Sequence, residues 1–329
     1  MKNGLDFWEM ARRPRIEYPG AIYHVINRGN YRSDVFGSPG AAQTFVTALK
    51  ETVEMFGWKL GAYAVMRNHF HLAVQTPEPN LAAGMQRLQV TFAVRFNRFR
   101  SEQGHLFQGR YRAILLENEE VLARVANYIH LNPVRAGIIA IDQASSFRWS
   151  SWASFEKSQQ FRGLDPNPWL ATMGLADTES GWKEYAKIMR ERFGSDDIRE
   201  EERTELFEGW AVGSVDWKTK LIQERLTDEA LKPTAEYVEP KEAMRIRWVL
   251  RLEELLAEAH RSRKDLVRAR KAAAWKVGIA ARLQLELGVS VVWLAEELCM
   301  GKPASARVYL HHERKKLRIN DMTPFTRIE

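Results

Sequence analysis

The chain has 329 residues, 45% of them apolar and 11% aromatic, enough for two domains with real cores, and its single cysteine, Cys299, excludes an internal disulfide framework and suits a reducing cytoplasm. No run of about eighteen apolar residues and no apolar stretch behind Met1 is present, so neither a membrane span nor a signal peptide is expected. The net charge of +7 is uneven: residues 1–172 carry +6, 173–240 carry −7 and 241–329 carry +8, so two basic modules suited to phosphate backbones flank an acidic connector.

The first predicted strand runs from Ala21 to Arg28 and ends at the turn signal Gly29-Asn30. Residues 40–56 place Phe45, Val46, Leu49, Val53 and Phe56 at helical spacing, and Gly57 ends that helix. Trp58 to Val65 forms the next strand, followed almost at once by a strand through His69-Phe70-His71-Leu72-Ala73-Val74. Asn80 opens a second helix through Leu81, Met85, Leu88, Phe92 and Phe96, with Arg87, Arg95, Arg98 and Arg100 along it. An extended stretch, Leu106 to Leu116, leads into a third helix, which Asn118 caps, Glu119 and Glu120 begin and Pro133 stops. The order β-α-β-β-α-β plus a helix is that of a ferredoxin-like, split βαβ antiparallel sheet with helices packed on it. The expected class is α+β with an all-α C-terminal region.

Beyond that helix Trp149, Trp152, Trp169 and Trp182 are expected to clamp a short tail onto the domain, which closes near residue 172. The acidic connector, 173–240, is expected to be largely helical, with a charge-dense, solvated stretch from Asp196 to Glu205 and a break bracketed by Pro233 and Pro240. A helical region follows over 241–329. Within it Val289 to Leu298 reads as a short helix capped by Ser290, Met300-Gly301-Lys302 as a tight turn, and Pro303 to about Leu317 as a second helix. That is the helix-turn-helix pattern. Lys302, Ser305, Arg307, His311, Arg314, Lys315 and Lys316 on its second helix suit phosphates and base edges.

Alternate side chains of a strand share a face, so His69 and His71 project together while Phe70, Leu72 and Val74 turn into a core. Two imidazoles on a rigid strand make half of a divalent-metal site. On the third helix Tyr128 and Asn132 are four apart and lie one turn from each other. Placed against the histidine pair, they would add an amide oxygen as third ligand and a phenol able to attack a phosphate.

These motifs resemble those of the HUH single-strand DNA endonucleases, and within them the REP-associated tyrosine transposases, relatives of the single-tyrosine insertion-sequence transposases. The resemblance is carried in order by Tyr23-His24-Val25-Ile26-Asn27-Arg28-Gly29-Asn30, Met66-Arg67-Asn68-His69-Phe70-His71-Leu72, Gln108-Gly109-Arg110-Tyr111-Arg112, Tyr128-Ile129-His130-Leu131-Asn132-Pro133-Val134-Arg135-Ala136-Gly137 and Trp149-Ser150-Ser151-Trp152. It covers about the first half of the chain; the second half is similar only to longer members that append a helix-turn-helix region.

The resemblance implies that Tyr128 is the nucleophile and that His69 and His71 are metal ligands. Asn132 stands where relatives place a polar third ligand, often glutamine. Imidazoles alone suit zinc or other transition metals, whereas the family points to Mg2+ or Mn2+. It also implies attack on single-stranded or hairpin DNA, a 5′-phosphotyrosine link and rejoining without a nucleotide cofactor; no Gly-x-x-x-x-Gly-Lys-Ser/Thr loop is present. Arg28, Arg67, Arg110, Arg112 and Arg135 are the candidate backbone contacts, and the expected location is the cytoplasm, on the nucleoid when DNA is bound. The sequence leaves open a homodimer, and two other readings: a regulator derived from a transposase that binds DNA without cutting it, and a zinc hydrolase using His69 and His71, for which no carboxylate base stands near the pair.

Overall fold

The structure is a computed structural model describing residues 16–158, 160–194, 206, 209–226 and 241–320. The expected stretch from Asp196 to Glu205 and the break at Pro233 and Pro240 lie outside the described residues.

Strand β1 (Ala21–Arg28) occupies the middle of the sheet, antiparallel to β3 (His69–Thr76) on one side and to β4 (Arg112–Leu116) on the other, while β2 (Lys59–Val65) pairs antiparallel with β3. The spatial order β2-β3-β1-β4 is the split βαβ arrangement: β3 lies between β1 and β2, and β1 between β3 and β4. The expected antiparallel sheet gains a fifth strand, β5 (Ala211–Val212), which pairs parallel with β4 and makes the sheet mixed. The fourth strand is shorter than the stretch Leu106 to Leu116 suggested, because regular pairing with β1 begins at Arg112.

Helices α1 (Pro39–Phe56) and α2 (Leu81–Arg100) connect the strands on one face. Ser38 caps α1 by accepting the Ala41 N–H, and Gly57 ends it in the left-handed region, φ 65°, which glycine adopts without a Cβ clash. Asn80 precedes α2 as expected but does not bond its first turn. Its carboxamide instead accepts from Trp58 Nε1 at 2.8 Å and donates to the Phe56 carbonyl, tying α1 to α2. The core on this face is aromatic: Phe45 and Phe70 have ring centroids 4.6 Å apart, and Phe36 stacks on Phe92 at 5.2 Å.

Helix α3 (Glu119–Arg135) covers the opposite face. Asn118 caps it by accepting the Val121 N–H at 3.0 Å. Pro133 does not stop it, since the helix runs two residues further, to Arg135. Pro133 has no N–H for the Ile129 carbonyl, but the helix continues past it, with the Ala136 N–H reaching the Asn132 carbonyl.

The polypeptide after α3 does not leave the domain at residue 172. Helices α4 (Ser151–Glu156), α5 (Asn167–Thr172) and α6 (Glu179–Gly194) bury Trp152, Trp169, Trp182 and Tyr185 around His130 of α3, while Trp149 is half-buried. Tyr185 lies 5.1 to 5.5 Å, centroid to centroid, from the three tryptophans. The His130 ring nitrogens each sit 2.8 Å from a hydroxyl, those of Tyr185 and Ser151. Leu206, Trp210, Ala211 and Val212 are buried as well. The acidic segment expected as a connector therefore supplies a helix and a strand to the first compact unit, which extends to Leu221.

The division falls inside α7 (Val215–Leu226), after Leu221. The second unit contains α8 (Lys241–Glu258), α9 (Arg263–Arg268), α10 (Ala274–Leu287), α11 (Val291–Glu297) and α12 (Pro303–Asn320). Its core is formed by Leu252, Leu255, Leu256, Leu266, Leu283, Leu294, Leu298 and Leu310 with smaller residues between. Ser290 caps α11 by accepting the Trp293 N–H, and the turn into α12 passes through left-handed Cys299 and Gly301. Lys276 is buried with its ammonium on the carbonyls of Leu266 and Ala269, at the end of α9, where a cation meets the negative end of the helix. Among the described residues no helix is long and apolar enough to cross a membrane.

Candidate active site

The site lies where α3 crosses the face of the sheet that carries His69 and His71. The register pairs Arg28 with His69, Ile26 with His71 and His24 with Ala73, so His24, Ile26 and Arg28 share the face of the two histidines. On β4, Arg112 pairs with Ile26 and brings a further charge to the rim. Tyr128 and Asn132, one turn apart on α3, are both buried above it.

The four side chains expected to act together are in contact. Asn132 Nδ2 lies 3.1 Å from His71 Nε2 and donates to the Tyr128 hydroxyl, also at 3.1 Å. The His69 and His71 rings are 5.0 Å apart and nearly perpendicular, and the Tyr128 ring is 5.9 Å from that of His71. The Arg135 guanidinium sits 5.1 Å from the centre of the Tyr128 ring, which sets a positive charge beside the phenol.

Burial sets the charge state of the imidazoles. It lowers His69 from 6.5 to about 4, with Arg28 adding to the effect, and holds His71 well below 6.5, with the neighbouring histidines and Arg28 contributing. Both are neutral at pH 7, as metal-ligating imidazoles must be. Hydrogen bonds select the tautomers. Asn68 Oδ1, an acceptor, is 2.7 Å from His69 Nδ1, so that nitrogen carries the proton and Nε2 keeps its lone pair. His71 Nε2 accepts from Asn132 and likewise carries no proton. Among the described residues no group of three His, Cys, Asp or Glu side chains could hold a metal. Asn132 presents its amide nitrogen to His71, and its side chain would have to turn to offer Oδ1 to an ion held there.

The candidate DNA contacts fall into two groups. Arg28, Arg110 and Arg112 are exposed, Arg135 is half-buried on Tyr128, and Arg67 is exposed but paired with Asp34. Arg67 and Asp34, with Asn68, His69, Gly137 and Ile138, line a cavity of about 550 Å³ opening beside the histidine pair. In the second unit Lys302 and Arg307 are exposed and Ser305 is half-buried at the start of α12, whereas the side chains of Arg314 and Lys315 lie outside the described residues. His24 was not singled out for chemistry from the sequence, although its alternation with Ile26 places it on the face of His71. It lies below Tyr128, at 6.4 Å between rings, and its Nε2 is 3.1 Å from His71 Nδ1.

Residues 18–132 match the family model of IS200-like transposases. The matched segment begins just before β1, contains His24, His69, His71 and Tyr128, and ends on Asn132. The chain is also 27% identical over 108 residues to a Haemophilus influenzae protein described as a REP-associated tyrosine transposase. That alignment takes in 30% of this chain and 61% of the relative's length. A solved structure described as a REP-associated tyrosine transposase bound to a REP hairpin is 20% identical, with a TM-score of 0.39 over 49% of this chain and 91% of that one. A transposase structure from Deinococcus radiodurans is 22% identical, with a TM-score of 0.27 over 36% and 95%. The strand order and register themselves make the sheet a split βαβ one.

Proposed function

We propose that the first unit cuts and rejoins single-stranded or hairpin DNA by attack of Tyr128 on a phosphodiester. The observation that supports this reading best is the contact of Tyr128 with Asn132 and of Asn132 with His71, in a site where two neutral imidazoles present unprotonated Nε2 atoms. Tyr128 Oη forms a bond to phosphorus, the bond from phosphorus to the 3′-oxygen breaks, and the phenolic proton is made up on the departing 3′-hydroxyl through solvent. The product is a 5′-phosphotyrosine link. A second 3′-hydroxyl reverses the step and joins strands, so no nucleotide cofactor is needed.

His69 Nε2, His71 Nε2 and Asn132 Oδ1 would hold the divalent ion; the two imidazoles favour a transition ion such as Zn2+ or Mn2+, and only the amide oxygen suits Mg2+. When bound, the ion supplies positive charge to the non-bridging phosphate oxygens as negative charge builds on them. Arg135 adds charge beside the phenol, and Arg28 and Arg112 suit the strand on either side. The face is partly roofed by α3, which fits an unpaired, bendable strand better than a duplex.

Incubation of the full chain with a labelled single-stranded hairpin oligonucleotide and Mn2+ is expected to give a protein–DNA adduct that survives SDS, and EDTA is expected to prevent it. Tight hairpin binding with neither adduct nor nicking under any divalent ion would support instead a transposase-derived regulator that binds without cutting.

The second unit is proposed as a DNA-binding module built on α11, its turn and α12. A net charge of +8 over residues 241–329 and exposed Lys302 and Arg307 at the start of α12 support this. The double variant Lys302→Glu, Arg307→Glu in the full chain should weaken DNA binding and reduce the slope of log affinity against log salt by about 2, one for each phosphate no longer neutralised. An unchanged slope would make this unit a packing or assembly element.

A further inference from the structure

Beneath His71 a chain of contacts leads out of the segment that matches the transposase family. The Leu206 carbonyl oxygen lies 3.2 Å from His24 Nδ1, and His24 Nε2 lies 3.1 Å from His71 Nδ1. Leu206, His24 and His71 are all buried. The two imidazoles meet edge to edge, with centroids 5.3 Å apart and planes within 25° of each other, as an in-plane N–H···N bond requires.

A carbonyl oxygen has no proton to give, so it fixes every proton above it. His24 must hold its proton on Nδ1 to donate to Leu206, which leaves Nε2 as an acceptor. His71 must then hold its proton on Nδ1 to donate to His24, which leaves His71 Nε2 with a lone pair facing Asn132 and Tyr128. The opposite tautomer of His71 would place two unprotonated ring nitrogens 3.1 Å apart in a buried site and forfeit the bond.

We propose that His24 is a positioning residue that, anchored by the Leu206 carbonyl, holds His71 in the tautomer able to ligate a divalent cation and fixes its ring orientation. The proposal deepens the reading of the site given above and rests on it. It assigns a role to a side chain outside the pair of histidines, and to a main-chain group more than seventy residues beyond Asn132. That group belongs to the acidic segment which also contributes β5, so this segment completes the site as well as the sheet. Second-layer partners of metal-bound imidazoles typically alter metal affinity by about 10–100-fold.

The test uses the full chain with histidine nitrogens labelled, free of metal, at pH 7.5. Nitrogen NMR should find His71 protonated on Nδ1 in the unaltered protein; a proton on Nε2 overturns the proposal without any variant. His24→Phe keeps the ring and removes the acceptor, and should move the His71 proton to Nε2 in part or whole and weaken Mn2+ binding, measured by calorimetry, by at least about tenfold. His24→Gln, which can donate to the Leu206 carbonyl and accept from His71 at once, should restore most of the affinity. Equal Mn2+ affinity in His24→Phe and the unaltered chain overturns the proposal. His71→Ala separates the two layers of the argument: if it too binds Mn2+ undiminished, the metal site itself is misplaced, whereas if it alone loses the ion, only the role of His24 fails.

Discussion

Tyr128→Phe is expected to abolish the covalent adduct with single-stranded DNA while leaving DNA affinity within about twofold. The ring is buried against Arg135 and the sheet, and phenylalanine preserves that packing. The substitution removes the attacking oxygen and the bond it accepts from Asn132, worth about 1 kcal/mol of stability. Loss of the nucleophile itself should reduce cleavage by at least about a thousandfold, since no neighbouring group repeats its geometry. The contrast between intact binding and absent adduct is the informative part. A variant that lost both would have lost the fold, and a melting curve beside the assay separates that case. An undiminished adduct would move the nucleophile to another tyrosine, with Tyr111 at the head of β4 the first to replace.

The parts of the site that were legible in the sequence are those with a local period. His69 and His71 on one strand face, and Tyr128 and Asn132 on one helix turn, need only strand and helix geometry to be paired up, and the structure brings the four together. The strand order followed from the sequence of elements, because a split βαβ pattern allows few topologies. What composition concealed was the role of the segment after residue 172. Its −7 charge suggested a solvated connector, yet Trp182, Tyr185 and Met189 recur at helical spacing and are buried, and Ala211 and Val212 form two residues of strand, too short to give a period. His24 shows the other limit. Alternation along β1 gives its face, but its neighbour is set by the register of β1 on β3 and by a carbonyl 182 residues away. Asn80 and Pro133 illustrate how a residue type fixes an opportunity rather than an outcome: one used its amide to bridge two helices, and the other sits in a helix that continues two residues beyond it.

Acid should unfold this protein early and steeply, and His130 gives the cleanest measure of it. The ring is buried among Trp152, Trp169, Phe155 and Tyr185, and burial lowers it from 6.5 to about 3. In the unfolded chain it takes up a proton as pH falls through about 6.5, while in the folded protein it stays neutral until about 3. Between those values the unfolded state binds one proton more, so each pH unit removes about 1.4 kcal/mol of stability. The full stability is present above 6.5, and the total loss from this one ring on reaching its folded value is about 5 kcal/mol, a large share of the 5–15 kcal/mol typical of a domain. His24 and His69, both lowered to about 4 by burial, act in the same direction over a narrower range. Urea unfolding of the metal-free protein in EDTA, from pH 7.5 down to 4.5, should therefore show stability falling faster with each unit below about 6.5. His130→Gln can keep hydrogen bonds to Tyr185 and Ser151 but has nothing to titrate. It is expected to be less stable at pH 7.5, because the aromatic packing around it changes, yet its stability should fall by about 1.4 kcal/mol less per pH unit between 6 and 4.5. Because the comparison is one of slopes, the cost of the substitution at neutral pH cancels. Parallel slopes for the two proteins would mean that His130 is protonated in the folded state, and that the aromatic cage tolerates a charge its burial argues against.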